Sequence, residues 1–146
     1  MISLEKEKIF ALANEAIESG DCADLRCSAE KLNKLAVTAD DKTETVDLLI
    51  RISESFATKG LYEQAIAVCE IAGDHASPKS AQETNIVMNI LDYADKLPVP
   101  LQREMACILA RRFADPDTPA WDAVHKKLGE TRAEYFPPSS LTAFHL

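Results

Sequence analysis

The chain has 146 residues, a formal net charge of −8 and 47% hydrophobic residues, but only 6% aromatics and four glycines. That is one domain's worth of chain, able to bury about two-thirds of its unfolded surface, and a core so poor in aromatics must be built from Leu, Ile, Val and Ala, which favours helix on helix. The acidic balance disfavours nucleic acid and anionic lipid, no run reaches the roughly 18 apolar residues of a membrane span, and MISLEKEKIF puts charge where a signal peptide is apolar, so a cytoplasmic protein is expected.

Seven helices are predicted. The first runs from about Ser3 to Ser19, with Ser3 as cap, Glu5 and Glu7 in its first turn and Gly20 as terminator. Leu4, Ile9, Leu12, Ala13, Ala16 and Ile17 mark its inner face. The second follows Asp21 and repeats Leu25, Ala29, Leu32, Leu35 and Ala36 at the spacing of one buried face. Asp40 and Asp41 cap the third, Glu44 completes a box-like pattern, and Gly60 ends it. The fourth extends from Leu61 to about Asp74.

Ser77-Pro78 opens the fifth helix, because proline at the first helical position loses no hydrogen bond. Ile86, Val87, Ile90, Leu91 and Ala94 form its face. Pro98 and Pro100 separate it from the sixth, whose expected core stripe is Leu101, Met105, Ile108, Leu109 and Phe113. Asp115-Pro116 closes that helix. Thr118-Pro119 opens the seventh, with Trp121, Val124 and Leu128 inward and an end near Tyr135. The remainder, FPPSSLTAFHL, lacks periodicity, which divides the chain into a domain at 1–136 and a tail at 137–146. Phe144-His145-Leu146 has the shape that strand-adding domains accept. Leu141 and Phe144 could equally fold back on the last helix. Alternating strand patterns and hairpin-turn dipeptides are absent.

Short connections make consecutive helices antiparallel neighbours, giving three hairpins and a final helix. Hairpin starts near residues 4, 42 and 79 recur at about 38 residues, close to the range of helical repeats. The middle hairpin, 46–78, carries the clearest pattern. Leu49, Ser53 and Phe56 lie on its first helix, Gly60 and Tyr62 at the corner, Ala65 and Ala72 on its second helix, and Pro78 beyond. This hairpin resembles the tetratricopeptide repeat, although Leu49 stands where that family often has tryptophan and Pro78 falls one residue late. The flanking hairpins match poorly. The resemblance implies an all-α fold, in which antiparallel hairpins stack as a right-handed array closed by a C-terminal capping helix. It also implies an interaction scaffold rather than an enzyme.

In such an array the first helix of each hairpin lines the groove, and its off-stripe residues read the partner. Here these are Asp47, Arg51 and Glu54 on the third helix, and Thr84, Asn85, Met88, Asn89 and Asp92 on the fifth. Asn85 and Asn89 lie four apart, so their amides share one face and could bind a peptide backbone. The same residues would also serve as an ordinary solvated face. Residues 1–102 carry ten Lys/Arg against eighteen Asp/Glu, whereas 103–146 carry six of each. A basic protein or peptide partner would complement that acidic body.

Chemistry-bearing residues are few. Cys22, Cys27, Cys69 and Cys107 lack zinc spacing, and free thiols are expected rather than disulfides. No metal or cofactor is implied. Cys107 falls opposite the expected stripe of the sixth helix, four residues from both Arg103 and Arg111. Two guanidinium groups beside an exposed thiol would favour the reactive thiolate. The plainer reading packs Cys107 against the seventh helix. None of His75, His125 and His145 belongs to a nucleophilic motif. The reading is a small adaptor or chaperone that binds a protein partner. The alternatives are a bundle that self-associates through Val68 and Ile71, or an enzyme or redox sensor centred on Cys107.

Overall fold

The computed structural model describes residues 2–135, all of whose regular structure is α-helical. The helices are α1 (Ile2–Ser19), α2 (Cys22–Thr38), α3 (Thr43–Thr58), α4 (Tyr62–His75), α5 (Ala81–Ala94), α6 (Pro100–Phe113) and α7 (Pro119–Tyr135). Each packs on the next in sequence. α1, α3, α5 and α7 also touch in succession, as do α2, α4 and α6. The result is two layers of helices, odd-numbered and even-numbered, built from three hairpins with α7 closing the odd layer.

Local chemistry explains most boundaries. Gly20 and Gly60 take positive φ (72° and 77°) at the turns after α1 and α3, which only glycine adopts without strain. Asp21 caps α2, its Oδ1 accepting the Asp24 amide at 3.0 Å. Thr118 Oγ1 accepts the Trp121 amide at 3.2 Å in the first turn of α7.

Three starts differ from expectation. α1 already includes Ile2, so Ser3 lies inside the helix rather than capping it. Lys42 is the residue before α3, and Asp41 instead accepts the Thr43 amide across a two-residue turn. Pro78 precedes α5 by a turn, because Ser80 offers the better cap: its Oγ accepts the Glu83 amide at 3.1 Å.

Glu83 also reaches back, its Oε1 accepting the Lys79 amide, which Asp115 Oδ2 accepts as well. Two carboxylates therefore meet between the start of α5 and the end of α6. Burial first, and the neighbouring Asp115 second, push the Glu83 carboxyl above its ordinary range.

The core is aliphatic, as composition requires. Leu25, Leu32, Leu49, Ile52, Phe56, Ile86, Ile90, Val124 and Leu128 are its large fully buried members. The tetratricopeptide-like positions Leu49, Ser53, Phe56, Ala65 and Ala72 are all buried, and Ser53 Oγ donates to the Ile50 carbonyl at 2.6 Å. Tyr62 packs at the core edge, 6.1 Å from the Tyr93 ring. Val68 is buried and Ile71 packs against the core, so neither offers the free self-association face expected of them.

Two glycines separate packing from propensity. A Cβ on Gly73 of α4 would sit 2.7 Å from ring carbons of Phe113 on α6, whereas one on Gly129 of α7 would meet nothing within 4 Å. Gly73→Ala should cost about 1–3 kcal/mol of stability, while Gly129→Ala should gain up to about 1 kcal/mol from helix propensity. Urea denaturation of both variants checks the pair, and equal effects would contradict the contact.

For Glu83, a raised folded-state pKa means stability that is complete below the ordinary glutamate range and lost as pH rises through the raised value. Glu83→Gln keeps an acceptor for the Lys79 amide and removes that loss. Its urea midpoint relative to the parent should therefore improve between about pH 4 and about pH 7. A pH-independent difference would refute the assignment.

Candidate functional site

The sixth helix carries apolar residues on two sides, and two stripes compete to face inward. One holds large residues, Leu101, Met105 and Ile108, with Leu109 beside them. The other holds Ala106, Cys107, Ala110 and Phe113. The structure buries the second. α6 must approach α5 and α7 closely, and Phe113 must lie across Gly73 of α4, so small side chains take the inner face.

Leu101, Met105 and Ile108 consequently point to solvent, at 47%, 63% and 38% exposure. This corrects the expected core stripe, of which Phe113 alone is buried and Leu109 partly so.

The outward stripe lies in an open groove of about 900 Å³. α4 contributes Glu63, Ile66 and Glu70 to it. α6 contributes Gln102, Met105, Ala106, Ile108, Leu109, Arg111 and Arg112, and Leu97 and Trp121 complete it. Its polar lining groups are Glu63, Glu70, Gln102, Arg111 and Arg112. Gln102 Nε2 donates to Glu63 at 3.2 Å. Arg112 pairs with Asp74 and, at 3.5 Å, with Glu70, and its guanidinium lies over the Phe113 ring. Trp121 packs against His125 in a tilted arrangement, with centroids 4.5 Å apart. The groove thus joins the exposed apolar side chains of α6 to the charged groups Glu63, Glu70, Arg111 and Arg112.

The same rotation of α6 removes the reactive-thiol constellation. Cys107 is fully buried. Burial raises its thiol above the ordinary value, against smaller opposing effects of a Thr131 hydrogen bond and of Lys127. The two arginines turn elsewhere. Arg103 donates to the Leu97 carbonyl at 2.7 Å and pairs with Glu134 of α7, and Arg111 lines the groove. Cys107 is thus the small residue packed against α7. Cys69 is buried likewise, its thiol pushed up to about 11 by desolvation.

The expected partner-reading residues do share the odd-numbered layer. Asp47, Arg51, Glu54, Thr84, Asn85, Met88 and Asp92 are exposed, and Asn89 is half-buried. Glu54 and Asp92 meet across a shallow depression with Tyr62, Tyr93 and Lys96. Arg51 Nη1 is engaged by Asn14 Oδ1 of α1 at 3.2 Å. This face is polar and offers Met88 as its main apolar contact.

Among the described residues no cluster of three or more His, Cys, Asp or Glu could hold a metal ion, and no helix is long and apolar enough to cross a membrane. The tail at 137–146, including Leu141 and the Phe144-His145-Leu146 ending, lies outside the described residues. Searches against known proteins find no family model and no curated sequence that matches this chain.

Sequence reasoning missed the groove because it placed Leu101, Met105, Ile108 and Leu109 in the core.

Alkylation tests the placement of the thiols. Under native conditions near pH 8, exposed Cys27 should react first, and buried Cys69 and Cys107 should lag by at least about tenfold. Reaction of Cys107 at the rate of Cys27 would contradict its burial.

Proposed function

We propose that this chain is a non-catalytic protein-interaction module whose principal site is the outer face of α6. Its ligand would be an amphipathic helix or extended segment of a protein partner, offering apolar residues to Leu101, Met105, Ile108 and Trp121. The observation that carries this reading is Met105, a flexible apolar side chain that lines the groove and stands open to solvent. Single exposed apolar residues are ordinary on protein surfaces, but a contiguous strip with a tryptophan at its edge is the composition of a binding hot spot. The resemblance of the α3–α4 hairpin to the tetratricopeptide repeat supports an adaptor or chaperone role. Four free cysteines fit a reducing, cytoplasmic setting.

A second reading places a basic peptide on the odd-numbered layer. The convergence of Glu54 and Asp92 favours it, together with the acidic excess of residues 1–102. The two readings separate cleanly by experiment. With the full chain as bait in extract of its source cell, Met105→Asp should weaken capture of a bound protein by at least about tenfold. Val37→Asp, at an equally exposed position off the groove, and the pair Arg51→Glu/Glu54→Lys should leave capture intact. Far-UV circular dichroism should be unchanged throughout. Retention by Met105→Asp with loss on charge reversal would overturn the α6 site in favour of the polar face.

A further inference from the structure

We propose that the α6 groove is closed by a second copy of this chain, through a two-fold contact in which the two α6 helices run antiparallel. The inference rests on the reading of the groove as the interaction site, and it names what covers that site when no other partner is bound. The surface concerned is the outer face of α6, not the Val68 and Ile71 positions of α4, which the core takes up.

The groove has a direction. Gln102 in the first turn of α6 donates to Glu63 in the first turn of α4, while Arg112 in the last turn of α6 pairs with Glu70 and Asp74 farther along α4. The two helices are therefore parallel neighbours, and the groove they line has an acidic end at Glu63 and a basic end at Arg111. Gln102 and Arg111 stand about 14 Å apart along α6 at the helical rise.

The charges at these ends are incompletely answered within the chain. Arg112 is held by two carboxylates, but among the described residues none lies within ion-pair distance of Arg111. Glu63 accepts from the neutral Gln102 amide and pairs with no cation among the described residues. At the same end Gln102 Oε1 is shielded from solvent without a hydrogen-bond donor.

An occupant that answers both ends must carry a cation at one end, a carboxylate at the other and apolar side chains between. A second α6, reversed by a two-fold axis, has that pattern, because such an axis sets residue i against j and j against i. With the axis crossing between Met105 and Ile108, Met105 meets Ile108 of the second copy. Arg111 then meets Gln102 and the adjacent Glu63, and each contact is made twice. A guanidinium has five N–H donors to share between the carboxylate and the unsatisfied amide oxygen. The exposed Met105 and Ile108 side chains leave water in the same step. Charge also selects this face. The chain carries −8, but the groove lining has two carboxylates and two guanidinium groups, so two acidic copies repel least here.

Sedimentation equilibrium of the full chain and of two charge reversals outside the core, Arg111→Glu and Glu63→Lys, tests the contact. Between about 1 and about 100 µM the parent should shift toward twice the chain mass. Each variant alone sets like charges at both ends of the contact, and its dimerisation should weaken by at least about tenfold. An equimolar mixture of the two should recover the dimer, because one copy then carries both carboxylates and the other both cations. That recovery also shows that both variants are folded. A parent that stays monomeric throughout would overturn the proposal, as would variants that dimerise like the parent or a mixture no tighter than its components. The functional reading fails separately. If the mixture recovers the dimer but Met105→Asp still captures its partner, the dimer stands without the partner site. If the parent is monomeric yet Met105→Asp loses the partner, the site stands without the dimer.

Discussion

The ring of Phe113 occupies the space that any side chain at position 73 would need, and that contact fixes how α6 sits in the molecule. With Phe113 laid on Gly73, the helix must turn Ala106, Cys107 and Ala110 toward α5 and α7. Close packing leaves no freedom to rotate it by the fraction of a turn that would bury Met105 instead. Three consequences share this single cause: the exposed apolar stripe, the groove beside α4 and the burial of the Cys107 thiol. The functional proposal therefore rests on a packing constraint rather than on any chemically active group.

Much of the fold was legible in the sequence for reasons that are local. Gly20, Gly60, Asp21, Pro100 and Thr118 act through backbone geometry or capping within a few residues, so the turns they mark fall where expected. The inner faces of α2 and α5 follow from periodicity, because each has one apolar side and one polar side. Helix α6 defeats that logic. Both of its sides are apolar, and the choice depends on how near α5 and α7 must come and on a glycine forty residues earlier. That distance in sequence hides the information from any reading of spacing. The cap of α5 failed in a milder way, since Ser80 and Pro78 both offer a start and the Glu83 hydrogen bonds decide for Ser80.

The candidate site was less legible than the fold. The residues picked on α3 and α5 do lie on an exposed common layer, which follows from their position off the apolar stripes. What sequence could not rank was the strength of that polar face against a second face whose existence it had assigned to the core. Energetically the two differ in kind. A polar face exchanges hydrogen bonds with water for similar bonds with a partner and gains little, whereas an exposed strip of Leu, Met, Ile and Trp gains on every contact that removes it from water.

The orientation of α6 is the claim on which all of this depends, and nuclear Overhauser contacts test it directly. The account predicts strong cross-peaks between the Phe113 ring protons and the Gly73 α-protons, and between Cys107 and Thr131, with none joining the Met105 methyl to the core residues Ile90 or Val124. Cross-peaks from Met105 and Ile108 into that core, with Phe113 remote from Gly73, would show the helix turned the other way and would remove the groove.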